Sequence, residues 1–136
     1  NYHIYGATKY LEENGFPKTI TDLNKHKFIS YGRGTPSPVF NPDWALKLGI
    51  KENKKRKPIM KVNSVYGLLL AVQSGVGLAA LPDYITVSVP NIVKILPNIS
   101  GPKTEAYFVY PESLRNVARL KAFRNFLYSK VSEWKF

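Results

Sequence analysis

One segment constrains the fold more than any other, the run NSVYGLLLAVQSGVGLAALP at residues 63–82. Asn63 or Ser64 is typical of a helix N-cap, and Gly75 is typical of the residue that follows a helix end. Leu78–Leu81 is too short for a helix and favours a buried parallel strand, which a proline ends. The segment therefore predicts one helix–strand unit of an open α/β sheet.

The remaining pattern alternates strands with helices. Strands are predicted at Tyr2–Gly6, Phe28–Tyr31, Pro58–Val62, Ile92–Leu96 and Thr104–Tyr110, with a loop at residues 32–42. Further helices are predicted at Thr8–Asn14 and in the closing segment, where apolar residues recur at spacings of three and four: Val117, Leu120, Phe123, Leu127, Val131 and Trp134. Trp44–Leu48 fits a turn of helix or a strand equally well. The alternation predicts an α/β fold with a mainly parallel sheet flanked by helices.

Length and composition are those of one globular domain. The chain has 136 residues, 44% of them hydrophobic, and no cysteine, which excludes disulfides and thiolate metal sites. No apolar run approaches the roughly 20 residues of a membrane helix, so no membrane partner is expected. The opening residues, NYHIYGATKY, carry no signal-peptide pattern. We expect a cytoplasmic protein whose sequence begins within a longer chain.

The chain is strongly basic, with a formal net charge of +11. Because the charges form no single stripe, a solvated basic surface is favoured over a groove for nucleic acid. One dense run is present, KENKKRK at residues 51–57. A solvated loop is the favoured interpretation of this run, and a contact with phosphate or with the DNA backbone is the alternative.

No constellation of residues for catalysis is visible. His3 and His26 have no carboxylate nearby in the sequence and no metal-ligand spacing, and His26 fits the end of a short helix, where a cation is favoured. Gly75 and Gly77 are not followed by the Lys-Ser/Thr of a phosphate loop, and they fit a helix end and a close approach to the sheet. The sequence therefore predicts a protein that is not an enzyme and that uses neither a cofactor nor a metal.

A binding site is predicted where two strands end, since ligands of open α/β sheets lie beyond the carboxyl ends of strands. Asn63, Ser64 and Val65 follow one such strand and open a helix, whose free N–H groups and positive dipole suit an anion. Tyr31 and Gly32 end another strand and are candidates for the same crevice. For Asn63 and Ser64 the alternative is a role as a helix cap only, and for Tyr31 and Gly32 a structural role is favoured over a ligand contact.

From Tyr2 to its last helix, the chain resembles the C-terminal part of the effector-binding domain of LysR-type transcriptional regulators. The first part of the resemblance is YGATKYLEENGFPKTITDLNKHKFISYG, with a strand, a Tyr-Leu helix, an Asp-Leu turn and a His-containing entry to the next strand. The second is VNSVYGLLLAVQSGVGLAALPDY, with a helix, Gly-x-Gly and a terminal proline. The last parts, IVKILP, AYFVYP and RLKAFRNFL, are similar to two late strands and a closing amphipathic helix.

The resemblance implies a fold like that of type 2 periplasmic binding proteins, in which two α/β subdomains hold a small effector between them. It implies that residues 1–136 form the second subdomain plus the final strand and helix of the first. DNA binding would belong to an N-terminal domain outside this sequence, and the parent protein is expected to be a homo-oligomer. Asn63 and Ser64 match a helix start that contacts effector, and Tyr31 and Gly32 match a strand end that lines the cleft.

Three hypotheses for the function result. The first is an effector-sensing domain that binds a small anionic molecule and controls transcription through attached DNA-binding domains. The second is a solute-binding protein of the same fold class that is used in uptake. The third is a basic nucleic-acid-binding module, which predicts strong, salt-dependent affinity for DNA. The order of the motifs favours the first.

Overall fold

The computed structural model describes residues 1–32, 43–51, 54–103 and 105–134. The chain divides into two compact units, Asn1–Thr104 and Glu105–Phe136. Apart from Gly32, the loop predicted at residues 32–42 lies outside the described residues. Among those that are described, no helix combines the length and the apolar character needed to cross a bilayer.

The described part of the first unit alternates short strands and helices. The strands are β1 (Tyr2–Ala7), β2 (Ile29–Tyr31), β3 (Met60–Val62), β4 (Ala79–Pro82) and β5 (Ile92–Ile95). The helices are α1 (Thr8–Asn14), α2 (Trp44–Lys47) and α3 (Val65–Gln73), with 3₁₀ turns at Thr21–Lys25 and Asp83–Ile85. This arrangement confirms the α/β class, and α2 shows that the ambiguous segment at Trp44 is helical.

The orientation of the strands differs in part from the mainly parallel sheet predicted. Strand β1 lies between β4 and β5 and is antiparallel to both, with Tyr5 opposite Ala79 and Lys94. Parallel pairing occurs between β2 and β3, and in one bridge that joins Phe28 to Leu78. The sequence could not reveal this, because all six residues of β1 are buried. A strand covered on both faces has the same unbroken apolar pattern in either orientation.

Two hydrophobic clusters lie on opposite faces of the strands. One includes Ile4, Phe28 and Leu78 with buried residues of α1 and α2; the other includes Tyr5, Ile29 and Ala79 with the buried face of α3. Because successive residues of a strand point to opposite faces, β1 contributes Ile4 to the first cluster and Tyr5 to the second. Trp44 lies in the first cluster, as the preference of tryptophan for a core predicts.

Helix α3 has the ends that the sequence predicts. Ser64 Oγ accepts a hydrogen bond from the N–H of Gly67 at 3.2 Å, which makes Ser64 the N-cap. At the other end the N–H of Gly75 donates to the Val72 carbonyl at 2.9 Å, and the N–H of Val76 donates to the Ala71 carbonyl at 3.2 Å. These two bonds form a Schellman motif, which places Gly75 at a φ of 74°, a conformation that glycine adopts without strain.

The second unit contains helix α4 (Ala118–Ser132) and a 3₁₀ turn at Glu112–Leu114. The helix is where the sequence predicts it, but none of its residues is buried, and Phe123 is 51% exposed. The strand predicted at Thr104–Tyr110 is not formed over residues 105–110. A strand needs a neighbour to complete its hydrogen bonds, and the described residues of this unit contain no other strand.

Candidate functional site

The carboxyl ends of β2 and β3 lie side by side. The two parallel strands place Ser30 opposite Lys61 and Tyr31 opposite Val62. The N–H of Gly32 donates to the Val62 carbonyl at 2.8 Å, which keeps the two chains together one residue beyond β2. A Cβ added to Gly32 would lie 3.6 Å from the backbone nitrogen of Asn63. The structure therefore brings two candidate residues of β2 next to those at the start of α3.

The start of α3 presents polar groups at this edge of the sheet. Asn63 and Ser64 are both exposed. The N–H groups of Val65 and Tyr66 have no acceptor within the helix, because no helical carbonyl precedes them by four residues. The first turn contains no acidic side chain, so no carboxylate of that turn neutralises the positive end of the helix dipole. The side chains of Asn63 and Ser64 can accept hydrogen bonds from a ligand, and the free N–H groups can donate them to an anion.

Helix α3 approaches β3 closely at Gly67. A Cβ at this position would lie only 2.7 Å from Cγ1 of Val62, so glycine permits the contact that holds the helix start beside the strand end. The side chain of Val65 packs against both hydrophobic clusters, and its contribution to a ligand site would come from its backbone. The side chain of Tyr31 is buried in the cluster that includes α3. Tyr31 also lines a cavity of about 380 Å³, and its place in a ligand site stays a prediction.

A buried polar cluster elsewhere in the first unit was not predicted. Asp83 is 5% exposed, and its Oδ1 accepts a hydrogen bond from the hydroxyl of Tyr5 at 2.8 Å. The same oxygen lies 2.7 Å from Nδ1 of His3 and 3.5 Å from Nζ of Lys94. No carboxylate is near His3 in the sequence, and it is sheet pairing that brings His3 to Asp83, 80 positions away.

The surroundings of this cluster determine the charge of two groups. Burial opposes ionisation of Asp83, but the hydrogen bonds from His3 and Tyr5 and the charge of Lys94 outweigh it, and the pKa of Asp83 lies below its usual value. Burial, together with the nearby carboxylate, raises the pKa of Tyr5 to about 12. At neutral pH Asp83 is thus an anion and Tyr5 a neutral donor. A carboxylate satisfied by donors from β1 and β5 acts as a structural tie between these elements.

His26 follows the 3₁₀ turn at Thr21–Lys25, as the sequence predicts. Its side chain, however, is not the cation expected at a helix end. Burial lowers the pKa of His26, with Asp22 acting in the opposite direction, so the imidazole is neutral at neutral pH. Its ring centroid lies 5.8 Å from that of Tyr10. Packing, and not attraction of a cation to the helix dipole, therefore accounts for this residue. Within the described ranges, no group of three or more His, Cys, Asp or Glu is arranged to hold a metal ion.

Comparison with known proteins adds an independent line of evidence. The family model described as the LysR substrate binding domain matches residues 2–132. An uncharacterized HTH-type transcriptional regulator from Haemophilus influenzae is 31% identical over 114 residues, which are 80% of this chain and 38% of that protein. The chain thus spans well under half the length of this relative.

Two solved structures have a similar fold. The regulatory domain of CrgA, a LysR-type transcriptional regulator from Neisseria meningitidis, gives a TM-score of 0.73 at 21% identity, covering 95% of this chain and 63% of that one. The regulatory domain of AphB in Vibrio vulnificus gives a TM-score of 0.52 at 17% identity, covering 84% of this chain and 59% of that one. These likenesses confirm the fold. Since the family model extends over nearly the whole sequence, the chain belongs to the LysR substrate-binding domain family.

Proposed function

We propose that this chain is the effector-sensing domain of a LysR-type DNA-binding transcriptional regulator. One observation carries the proposal: the ends of two parallel strands meet the exposed N-cap and the free N–H groups of α3, in a chain of this family. A small anionic effector would lie at this edge. Ser64, Asn63 and the backbone N–H of Val65 would be its ligands, and Gly32 would allow it to approach the end of β2.

Control of transcription would require parts of the parent protein that lie outside this sequence. The effector would be held between this subdomain and a first subdomain, and its binding would favour one degree of closure between them. DNA-binding domains would then respond to the change in closure. The contact with DNA, the homo-oligomeric state and the cytoplasmic location all concern the parent protein, and membership of the family supports them. That family consists of regulators, so we propose no reaction for the site.

The alternative of a solute-binding protein used in uptake shares this fold class. The fold alone would therefore not separate the two functions. The relatives support one of the two, because the similar proteins are transcriptional regulators or regulatory domains. They favour the sensor, and no feature of the described residues favours uptake.

The test is the melting temperature of the complete parent protein, with and without acetate, succinate, benzoate, sulfate or phosphate. A ligand that binds only the folded state stabilises it by mass action, by about 2.7 kcal/mol at a concentration of about 100 times Kd. We expect at least one of these anions to raise the melting temperature. We also expect Ser64→Ala to reduce that rise, because it removes the side chain at the helix start.

Ser64→Ala also removes a helix cap, which costs about 1 kcal/mol by itself. Each variant must therefore be compared with its own ligand-free state. Ser74→Ala is a matched control, since Ser74 is an exposed serine at the other end of α3, where its Oγ donates to the Leu70 carbonyl. An equal reduction in both variants, or no shift with any anion, would contradict an anionic effector at the start of α3.

A further inference from the structure

A cavity adjoins the β2–β3 pair, and it is lined by Tyr31 as well as by residues of the face opposite α3. Its volume is about 380 Å³, and its lining includes Ser30, Lys61, Leu46 and the segment Lys55–Pro58. This volume is within the range of small-molecule sites. Ser30 and Lys61 are opposite each other in the paired strands, and they alternate along them with residues that pack against α3. Alternation of side chains therefore directs them to the other face.

The lining of this cavity is positively charged. It contains four cationic side chains, Lys55, Arg56, Lys57 and Lys61, against a single carboxylate, that of Asp43. Lys55 is already paired with Asp43, at 2.6 Å. In the parts of the chain that the structure describes, Lys57 and Lys61 form no ion pair. The cavity thus has positive charge that no described side chain balances.

Arg56 shows that the basic run at residues 51–57 is not simply a solvated loop. The residue is 9% exposed. Its Nη1 donates to the carbonyls of Ala45 and Leu48, at 3.1 and 2.8 Å, and its Nη2 donates to Oδ1 of Asn24 at 2.7 Å. These acceptors are neutral, and Nε has no acceptor within the described ranges. A buried cation is costly without an opposite charge nearby, and an anion in the cavity would supply that charge.

Ser30 provides an unused donor at the same place. It is 5% exposed, and its Oγ is buried without a hydrogen-bond partner among the described residues. Ser30 lines this cavity and also a smaller one of about 20 Å³ that borders Trp44. The smaller cavity has room for about one water molecule. The smaller cavity is thus too small for a ligand. Because Oγ itself has almost no exposed surface, a ligand in the larger cavity would reach it after rotation of the Ser30 side chain about χ1.

We propose that the larger cavity binds a small oxyanion with two or more negative charges, a polycarboxylate or a phosphate, at a site separate from the start of α3. The hydroxyl of Ser30 would donate a hydrogen bond to it. Lys57 and Lys61 would form charge-assisted hydrogen bonds, which are the strong ones in such sites. Arg56 would gain a nearby counter-charge without giving up its neutral partners. This proposal does not depend on the function proposed above.

The test is calorimetric titration of the chain with pyrophosphate and, separately, with citrate. Binding of either probe supports the site, and the probe that binds more tightly identifies the phosphate or the carboxylate class. We expect Lys57→Gln combined with Lys61→Gln to weaken the binding by on the order of tenfold or more, since each hydrogen bond to a charged group contributes about 1.5–3 kcal/mol. We expect Ser30→Ala, which leaves the charge unchanged, to weaken it about fivefold.

Lys9→Gln combined with Lys18→Gln is the matched control, because both lysines are exposed and the change in net charge is the same. It should alter the affinity by less than about twofold if the effect is local. Ser64→Ala should leave the affinity unchanged. The proposal would be overturned if neither probe binds, or if the two double lysine variants lose affinity equally. It would also be overturned if Ser64→Ala loses affinity, or if Ser30→Ala keeps it unchanged. Loss in Ser64→Ala alone would instead place the anion at the start of α3.

Discussion

At the scale of single residues, Asp83 is the buried carboxylate of the polar cluster, and replacing it should change how the free energy of unfolding depends on pH. Its folded-state pKa lies below the ordinary value of 3.8. The stabilisation is therefore fully present above that value and is lost as the pH falls through the folded-state pKa. We expect Asp83→Asn to lower the free energy of unfolding at pH 7 by about 3 kcal/mol, because it breaks a buried charge cluster. Urea denaturation at several pH values measures this.

Measurements of stability in acid show whether the effect comes from the Asp83 carboxylate. As the pH falls below 3.8 and through the folded-state pKa, the wild type should lose stability more steeply than Asp83→Asn, so that the two curves converge. Glu12→Gln, which removes an exposed carboxylate of α1, should follow the wild type within about 0.5 kcal/mol. Parallel curves for wild type and Asp83→Asn would show that the carboxylate does not titrate below its usual range.

The cluster around Asp83 also shows what the sequence alone could not supply. His3 is in a strand that the sequence predicts, and Asp83 directly follows another, but their 2.7 Å contact depends on the antiparallel register of β1 and β4. Nothing local encodes that register, since both strands are almost wholly apolar and buried. The cap at Ser64 could be predicted because its partner, the N–H of Gly67, is three residues away.

At the scale of elements, the join between α3 and β4 depends on Gly77. A Cβ there would lie 2.6 Å from the carbonyl oxygen of Lys27, and that carbonyl accepts the N–H of Leu78 at 2.8 Å. We expect Gly77→Ala to lower the free energy of unfolding by about 1–3 kcal/mol, since the backbone must move to relieve the contact. Thermal or urea denaturation of the chain tests this.

Gly32→Ala is the matched control for that substitution. Its Cβ would meet its nearest neighbours at 3.6 Å, an ordinary van der Waals distance. Its stability should therefore equal or slightly exceed that of the wild type, because alanine restricts the unfolded chain more than glycine does. Equal destabilisation by both substitutions would mean that the close approach at Gly77 is not what matters.

At the scale of the whole molecule, the two units differ in how far the apolar residues of each are buried within that unit. Within Asn1–Thr104, the apolar patterns lead to two buried clusters, and the predicted strands and helices form with small changes of boundary. Within Glu105–Phe136, the helix forms, but the apolar stripe through Phe123 and Val131 is not buried. Sequence periodicity predicts which face of a helix is apolar. It does not say whether the residues that cover that face belong to the same chain.

This difference predicts unequal local stability, which amide hydrogen exchange of the chain can measure. In α3, Leu68, Leu69 and Val72 are buried, so exchange requires the first unit to open. Helix α4 has 15 residues and none buried, and an isolated helix of that length is marginal in water. We expect amides of α3 to be protected on the order of a hundredfold or more beyond those of α4, since opening free energies rise toward the global value in a core. Equal protection of the two helices would show that the apolar stripe of α4 is covered in solution, and would place that unit's stability in contacts outside its own described residues.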